Sequence, residues 1–339
     1  MFKQAVPFFL HVRTPLHAGS GDDLGIVDLP IQRERHTDFP KVEGSSMKGA
    51  IREAFREYVD VKALQQEFPA VKEASEFLKA LDLVFGPEDD DGANLHAGAL
   101  GFTDARLLLF PIKSMRGVFA WISCPMVLET LQNDMQLTDP DWTLPLKDLK
   151  GKPLSFDGLN SNLSQLHDEG FCLLVKEQKE NLTIEAKGKR KVVLEEYAFT
   201  MLDDTDAKAI AEKLEKLTGI SELRKRLVIL SNDDFRDFVT LSTEVITRIR
   251  IDPETGTVKE GALFTEEFLP AESVLYALAL STGILTKEKQ NIFQTAGQQK
   301  EEERVMTFFR QGLPKVIQLG GDATIGKGLV RTILYQGEK

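Results

Sequence analysis

The sequence has almost no cysteine: Cys124 and Cys172 are the only two in 339 residues. Two thiols cannot build a disulfide framework or, by themselves, a cysteine zinc site, so the chain suits a reducing cytosol and a cytoplasmic location. No apolar run reaches the roughly 20 residues that a membrane-spanning helix needs. The stretch from Ala5 to Val12 is too short, and too soon interrupted, for a secretory leader. A surplus of positive charge is also missing, with a net charge of −11 and a pI near 5.1. That balance argues against a free-standing, nonspecific nucleic-acid binder. It leaves room for a local basic strip, especially where neighbouring subunits share the ligand. No internal repeat is visible. The hydrophobic and charged fractions, 42% and 28%, are those of an ordinary globular chain long enough for one large core or two smaller ones.

What is present in excess is glycine near the C-terminus. Gly320-Gly321-Asp322-Ala323-Thr324-Ile325-Gly326-Lys327-Gly328 separates two strand-like segments, Lys315 to Leu319 and Leu329 to Tyr335. Without a Cβ, backbone amides there can approach an anion closely. Gly321, Gly326 and Lys327 fit a nucleotide P-loop pattern, but the next residue should be Ser or Thr and should open a helix. It is Gly328, and the chain has little left to follow it. A nucleotide-dependent enzyme is therefore disfavoured. The bland alternative is a tight hairpin; the sharper one is a loop lying against a nucleic-acid backbone.

Hydrophobic periodicity places the other elements. Ala5 to Val12 reads as a strand, followed by a turn-rich loop containing His17, Asp22 and Asp23. Ile26 to Gln32 is mostly apolar but carries Asp28. Gly44 to Gly49 opens a helix to about Tyr58, with Ser45 or Ser46 able to cap it. Lys48, Arg52 and Arg56 recur every four residues, so the three cations line up, with Glu53 and Glu57 as ordinary partners. Val71 to Phe85 is a second helix, stopped by Gly86-Pro87. Leu100 to Phe110 and Gly117 to Cys124 read as strands. The stretch from about 129 to 206 looks like an insertion, polar and turn-rich over its first part. Ala207 to Leu217 is helical and Val228 to Leu230 a buried strand. Ser231 caps a turn of helix in which Asp233 and Asp234 are first-turn acids. Thr243 to Asp252 alternates, with Arg248 and Arg250 on one face. Pro253 to Gly256 supplies a turn, and the chain returns from Val258. This hairpin, about 243–268, is long enough to project. Ser273 to Leu280 is strand or helix, and Glu301 to Gln311 is a helix.

Four blocks in order carry a resemblance. They are Gly25-Ile26-Val27-Asp28-Leu29-Pro30-Ile31-Gln32-Arg33, Gly44-Ser45-Ser46-Met47-Lys48-Gly49, Thr103-Asp104-Ala105-Arg106-Leu107-Leu108-Leu109-Phe110-Pro111, and the glycine-rich loop at 320–328. Together they resemble the backbone subunits of the Cmr complex, the type III-B CRISPR effector, within the RAMP superfamily. The likeness spans nearly the whole chain and is weakest from about Met126 to Asp206.

The resemblance implies an α+β fold: one RAMP domain over residues 1–339, with an RRM-like, ferredoxin-type βαββαβ core, large insertions and a projecting thumb β-hairpin. It implies copies stacked in a filament along a guide (CRISPR) RNA beside other Cmr subunits. Target single-stranded RNA would be cut once per copy with a divalent metal, Mg²⁺ or Mn²⁺. Asp28 falls on the catalytic loop motif and is the implied metal ligand; His17 and Glu266 are candidate assistants. Glu266-Glu267-Phe268 departs from the tyrosine that relatives often carry at its third position. The expected RNA contacts are Ser45, Ser46, Lys48, Arg52, Arg56, Arg248, Arg250, Gly320, Gly321, Gly326, Lys327 and Gly328. Asp104 and Arg106 are family hallmarks that a buried ion pair would explain. Two rivals remain at this point: a noncatalytic scaffold of the same fold, and a repeat-RNA processing ribonuclease of the same superfamily.

Overall fold

The computed structural model describes residues 2–22, 25–71, 73–88, 96–144, 170–175, 179–204, 206–286, 291–294 and 299–337. Strand β1 (Gln4–Val12) has no polar face: Val6 through Val12 are all buried, which demands cover on both sides of its sheet. A two-residue strand, β2 (Lys41–Val42), leads into α1 (Gly44–Tyr58), which buries Met47, Ile51, Ala54 and Phe55 along one stripe. The short α2 (Val61–Leu64) and α3 (Ala74–Phe85) follow, and Gly86 ends α3 at φ 101°, a conformation open to glycine. Strands β3 (Leu100–Phe102), β4 (Ala105–Lys113) and β5 (Phe119–Ser123) precede α4 (Pro125–Gln136), which starts on proline.

The middle of the chain supplies β6 (Phe171–Val175), α5 (Lys179–Leu182), β7 (Thr183–Ala186), β8 (Lys189–Leu194) and β9 (Tyr197–Asp204). Next come α6 (Asp206–Thr218), α7 (Leu223–Arg226), β10 (Leu227–Ile229) and α8 (Asn232–Leu241). Ser231 caps α8 by accepting the Asp234 amide, as its position predicts. The last part holds β11 (Glu244–Ile251), β12 (Val258–Phe268), β13 (Val274–Ser281), α9 (Glu301–Gly312), β14 (Val316–Gln318) and β15 (Leu329–Leu334).

Among the described residues, 13 strands form one sheet ordered β14-β15-β1-β13-β4-β5-β10-β6-β9-β8-β7, with β2 on β4 and β3 on β13. Toward the β14 edge, β15, β1, β13 and β4 are neighbours, each pair antiparallel. In chain order α1 lies between β1 and β4, and α9 between β13 and β15. The segment 273–280, open to two readings by pattern, is strand β13, buried at seven of eight positions. Helices α1 and α9 meet through Phe55 and Phe309, stacked at 6.4 Å, and Phe309 meets Phe8 of β1 edge-on at 5.8 Å. Each fully buried phenylalanine of this cluster contributes about 1.5–3 kcal/mol by leaving water.

The described strands of the stretch at 129–206 join the main sheet. There β6 pairs with β10, and β9, β8 and β7 continue the main sheet. Strands this short leave little periodic signal, and 145–169 lies outside the described residues.

Strands β11 and β12 form their own two-stranded sheet. Val245, Ile249, Ile251 and Leu263 are exposed on it, so its outer part is left uncovered by the described residues. Ile249 faces Leu263 but Ile251 faces Val258. The surplus residues on β12 bulge around Gly261, at φ 72°.

Candidate functional site

Asp28 is seated by the base of the hairpin. The segment that follows it runs alongside β12: Leu29 N–H donates to Thr265 O and Glu267 N–H to Leu29 O, both at 3.0 Å. This puts Asp28 Oδ2 where it accepts the Thr265 amide at 2.7 Å and the Thr265 hydroxyl at 2.8 Å. The Thr265 amide, and then its hydroxyl, hold the Asp28 carboxyl below the usual carboxylate range. Asp28 lies at the surface, and both bonds fall on Oδ2. The site therefore carries a fixed, ionised carboxylate with one oxygen facing outward.

Further along β12, His17 Nδ1 bonds the Glu267 carbonyl at 2.7 Å. A carbonyl can only accept, so Nδ1 carries the proton. Nε2 is left facing Glu266 Oε1 at 3.6 Å. Glu266 is buried, and that burial pushes its carboxyl up; His17 and Arg248 pull it back, and Asp322 pushes it further. His17 Nε2 and the Glu266 carboxyl thus face each other in a mostly enclosed site. The His17 side chain is mostly enclosed.

Glu266 and Glu267 lie on opposite faces of β12 and do different work. Glu267 accepts from Ile31 N–H at 2.9 Å, Arg33 at 2.5 Å and Thr243 Oγ1 at 2.7 Å, so it knits the Asp28 loop to the hairpin. Phe268 is fully buried. Lys327 stands 4.7 Å from its ring centroid, Arg248 5.6 Å and the His17 ring 5.6 Å.

The glycine-rich loop is built for close packing. A Cβ on Gly320 would lie 2.1 Å from His17 O, and one on Gly328 1.9 Å from Leu319 O. Gly321 N–H donates to His17 O and Gly328 N–H to Pro15 O, both at 2.9 Å. Gly326 N–H is likewise spent, on Ala323 O at 3.0 Å. These three amides are therefore not open to a phosphate, contrary to a simple anion cradle. Lys327 remains as the loop's cation. Arg248 also departs from expectation: it faces Glu266 and Asp322 rather than solvent, while Arg250 is exposed.

On α1, neither Ser45 nor Ser46 caps the helix; both are exposed. The Gly44 amide is taken by Asp104 Oδ1 at 2.9 Å, and Asp104 Oδ2 holds Lys41 at 2.8 Å. Burial pushes the Asp104 carboxyl up, but Lys41 and the Gly44 amide bring it below the usual range. Asp104 and Arg106 are not each other's partners; Arg106 pairs with Asp134 at 3.1 Å and Glu34 at 3.6 Å. Nor do the three cations of α1 form a free row. Arg52 is bound by Asp82 at 2.9 Å and Gly86 O at 2.6 Å, and Arg56 by Glu88 at 2.7 Å. The nearer-in-sequence Glu53 reaches Arg56 only at 3.8 Å. Lys48 has no carboxylate partner among the described residues, and burial, then Arg52, push its ammonium down.

Asp22 is exposed and Asp23 lies outside the described residues. Among the described residues no group of three metal-ligating side chains stands together. Thr265 lies in the hairpin just before Glu266 and Asp322 inside the glycine-rich loop, and neither carries a further signal in the sequence; only the fold brings them to Asp28 and Arg248.

Comparison with known proteins gives a consistent picture. The family model of the RAMP superfamily matches residues 9–331. A Pyrococcus furiosus protein described as CRISPR system Cmr endoribonuclease Cmr4 is 30% identical, across 96% of this chain and 94% of its own length. A Saccharolobus solfataricus protein, CRISPR system CMR subunit Cmr4, is 25% identical over the same shares. A crystal structure of oligomeric Cmr4 from Pyrococcus furiosus superposes with a TM-score of 0.63 at 24% identity, covering 99% of this chain and all of that one. A chain of the type III-B Cmr-beta complex bound to cognate target RNA gives 0.62 at 22%, covering 98% of each.

Proposed function

The chain belongs to the RAMP superfamily, and from that membership we propose that it is a backbone subunit and endoribonuclease of a type III-B CRISPR effector. It binds guide RNA, stands in a row with copies of itself and with other Cmr subunits, and cuts complementary target RNA at regular intervals. One observation carries this reading: a pinned, ionised Asp28 beside an unpacked hairpin, in a chain that matches a Cmr endoribonuclease over 96% of its length. In this reading the four neighbouring strands, in the order β15-β1-β13-β4 with α1 and α9 as crossovers, are an RRM-like, ferredoxin-type core. The β11–β12 hairpin is the thumb.

RNA can be cut by its own 2′-OH. The 2′-oxygen bonds to phosphorus, the bond from phosphorus to the 5′-oxygen breaks, a base takes the 2′ proton, and the leaving oxygen gains one. A-form stacking holds these atoms out of line. The exposed apolar residues Ile249, Ile251 and Leu263 of the thumb suit a wedge that unstacks one nucleotide, at a cost of about a few kcal/mol in comparable systems. A general base works best with a pKa near the working pH. Asp28, held low, is a poor base and a good fixed negative charge. The His17–Glu266 pair sets an imidazole nitrogen against a carboxyl, group types that carry protons to and from oxygen. Asp28 also suits a hard divalent cation. Asp28 would hold Mg²⁺ or Mn²⁺ through its carboxylate, a cation supplying positive charge against the phosphate. Lys48, Lys327, Arg250 and the exposed Ser45 and Ser46 offer RNA backbone contacts, which set register without reading sequence.

The test is target cleavage by the reconstituted complex with Asp28→Ala. Cutting should fall by at least about a hundredfold, the scale of a lost catalytic group, with guide and target binding intact. An unchanged ladder of products would overturn the assignment.

A further inference from the structure

Arg248 sits between two carboxylates from distant parts of the chain. Its Nε stands 2.5 Å from Glu266 Oε2, and its Nη2 bonds Asp322 Oδ2 in the glycine-rich loop. The Nε–H finds no hydrogen-bond acceptor, so the Glu266 contact is an ion pair without the alignment of a hydrogen bond. Glu266 turns its other oxygen to His17 Nε2. The four side chains make a row, Asp322, Arg248, Glu266, His17, that is at most 27% exposed at any member. A buried carboxylate left without its cation is costly, so the place of Glu266 depends on Arg248. Arg248 in turn has two claims on it. Asp322 sits at φ 64°, a conformation glycine holds more easily; its carboxylate is what a glycine there could not supply. The same loop presses on His17 through Gly320 and Gly321.

We propose that Arg248 and Asp322 are positioning residues for RNA cleavage: Asp322 anchors Arg248, Arg248 holds Glu266, and Glu266 orients the His17 ring. This rests on the reading of His17 and Glu266 as the proton-handling pair. It makes the glycine-rich loop part of the cleavage machinery and not only a surface for guide RNA. The charged groups facing Glu266 are His17 from the loop after β1, Arg248 from β11 and Asp322 from the glycine-rich loop. Lys327, over the adjoining Phe268, and Glu244 beside Lys327 lie further off. Removing Arg248 takes away a charge that favours ionised Glu266; removing Asp322 takes away one that opposes it.

That opposition supplies the test. Single-turnover cleavage by the reconstituted effector is followed across pH for wild type, Asp28→Ala, Arg248→Gln, Arg248→Lys and Asp322→Asn. Arg248→Gln and Asp322→Asn should each slow cutting by roughly 10- to 100-fold, the scale on which a small misplacement costs rate, with guide and target affinity unchanged. The acid limb of the profile should move to higher pH in Arg248→Gln and to lower pH in Asp322→Asn. Arg248→Lys, which keeps the charge, should leave the limb in place, and it carries the test with Asp322→Asn if Arg248→Gln does not assemble. Wild-type rates, a limb that does not move, or a loss of rate that tracks a loss of RNA binding would each overturn the proposal. Normal cutting by Asp28→Ala would instead remove Asp28 from the mechanism, and the opposite shifts would still decide the fate of Arg248 and Asp322.

Discussion

Lys48 and Arg52 lie one turn apart on α1, yet only Lys48 is free to meet an anion. Sequence spacing makes them equivalent. Packing separates them, because Arg52 reaches across to α3 and takes Asp82 and the Gly86 carbonyl. Lys48→Glu should therefore weaken guide RNA binding and lower the slope of log affinity against log salt by about 0.7, one phosphate contact on a single strand. Arg52→Glu should act on stability, by about 1.5–3 kcal/mol for lost bonds to a charged group. Filter binding across a salt series and urea unfolding of both variants check this. A stable Arg52→Glu protein with impaired RNA binding would reverse the two roles.

At the scale of elements, the start of α1 shows how a cap can come from elsewhere. The expected serines leave the job to Asp104, which stands 60 residues away in sequence. Asp104→Ala should cost about 1 kcal/mol, as loss of a helix N-terminal cap does. Its carboxyl is held below the usual value when folded, so its contribution is full above the unfolded pKa and fades as pH falls through the folded one. The gap in melting temperature between wild type and variant should thus be present at pH 7 and close in acid. A gap that persists unchanged below the carboxylate range would mean that packing, not charge, is what the variant removes. The β11–β12 hairpin is the opposite case. A two-stranded ribbon is marginal alone, and its base is secured by Glu267 and by the ion pairs of Arg248.

For the whole molecule, the decisive feature is continuity. Trp142, Cys172, Leu174 and Phe199 belong to the same core cluster as Phe8, Phe55 and Phe309. Residues 129–206 look like an insertion by composition, and the strands described there extend the main sheet. Replacing 129–206 with a short linker should abolish a cooperative melt and the near-ultraviolet dichroism of packed aromatics, because it strips the β10 edge and the cover of β5. A soluble deletion variant with a sharp melting transition would show that the two parts fold independently.

The sequence by itself determined the elements whose signals are local. The buried run of β1, the stripes of α1, α3 and α9, the alternation of β11 and the glycines at 320–328 are legible because period and turn chemistry act within a few residues. It also marked Asp28, through its motif, and left His17 and Glu266 as companions. Only the tertiary structure decided who pairs with whom. Arg52 finds Asp82 across 30 residues and Arg248 finds Asp322 across 74, where spacing along the helix or hairpin suggested near neighbours or RNA. The reason is physical: a charge leaving water takes whichever opposite charge the fold brings within reach, and sequence distance does not enter that interaction.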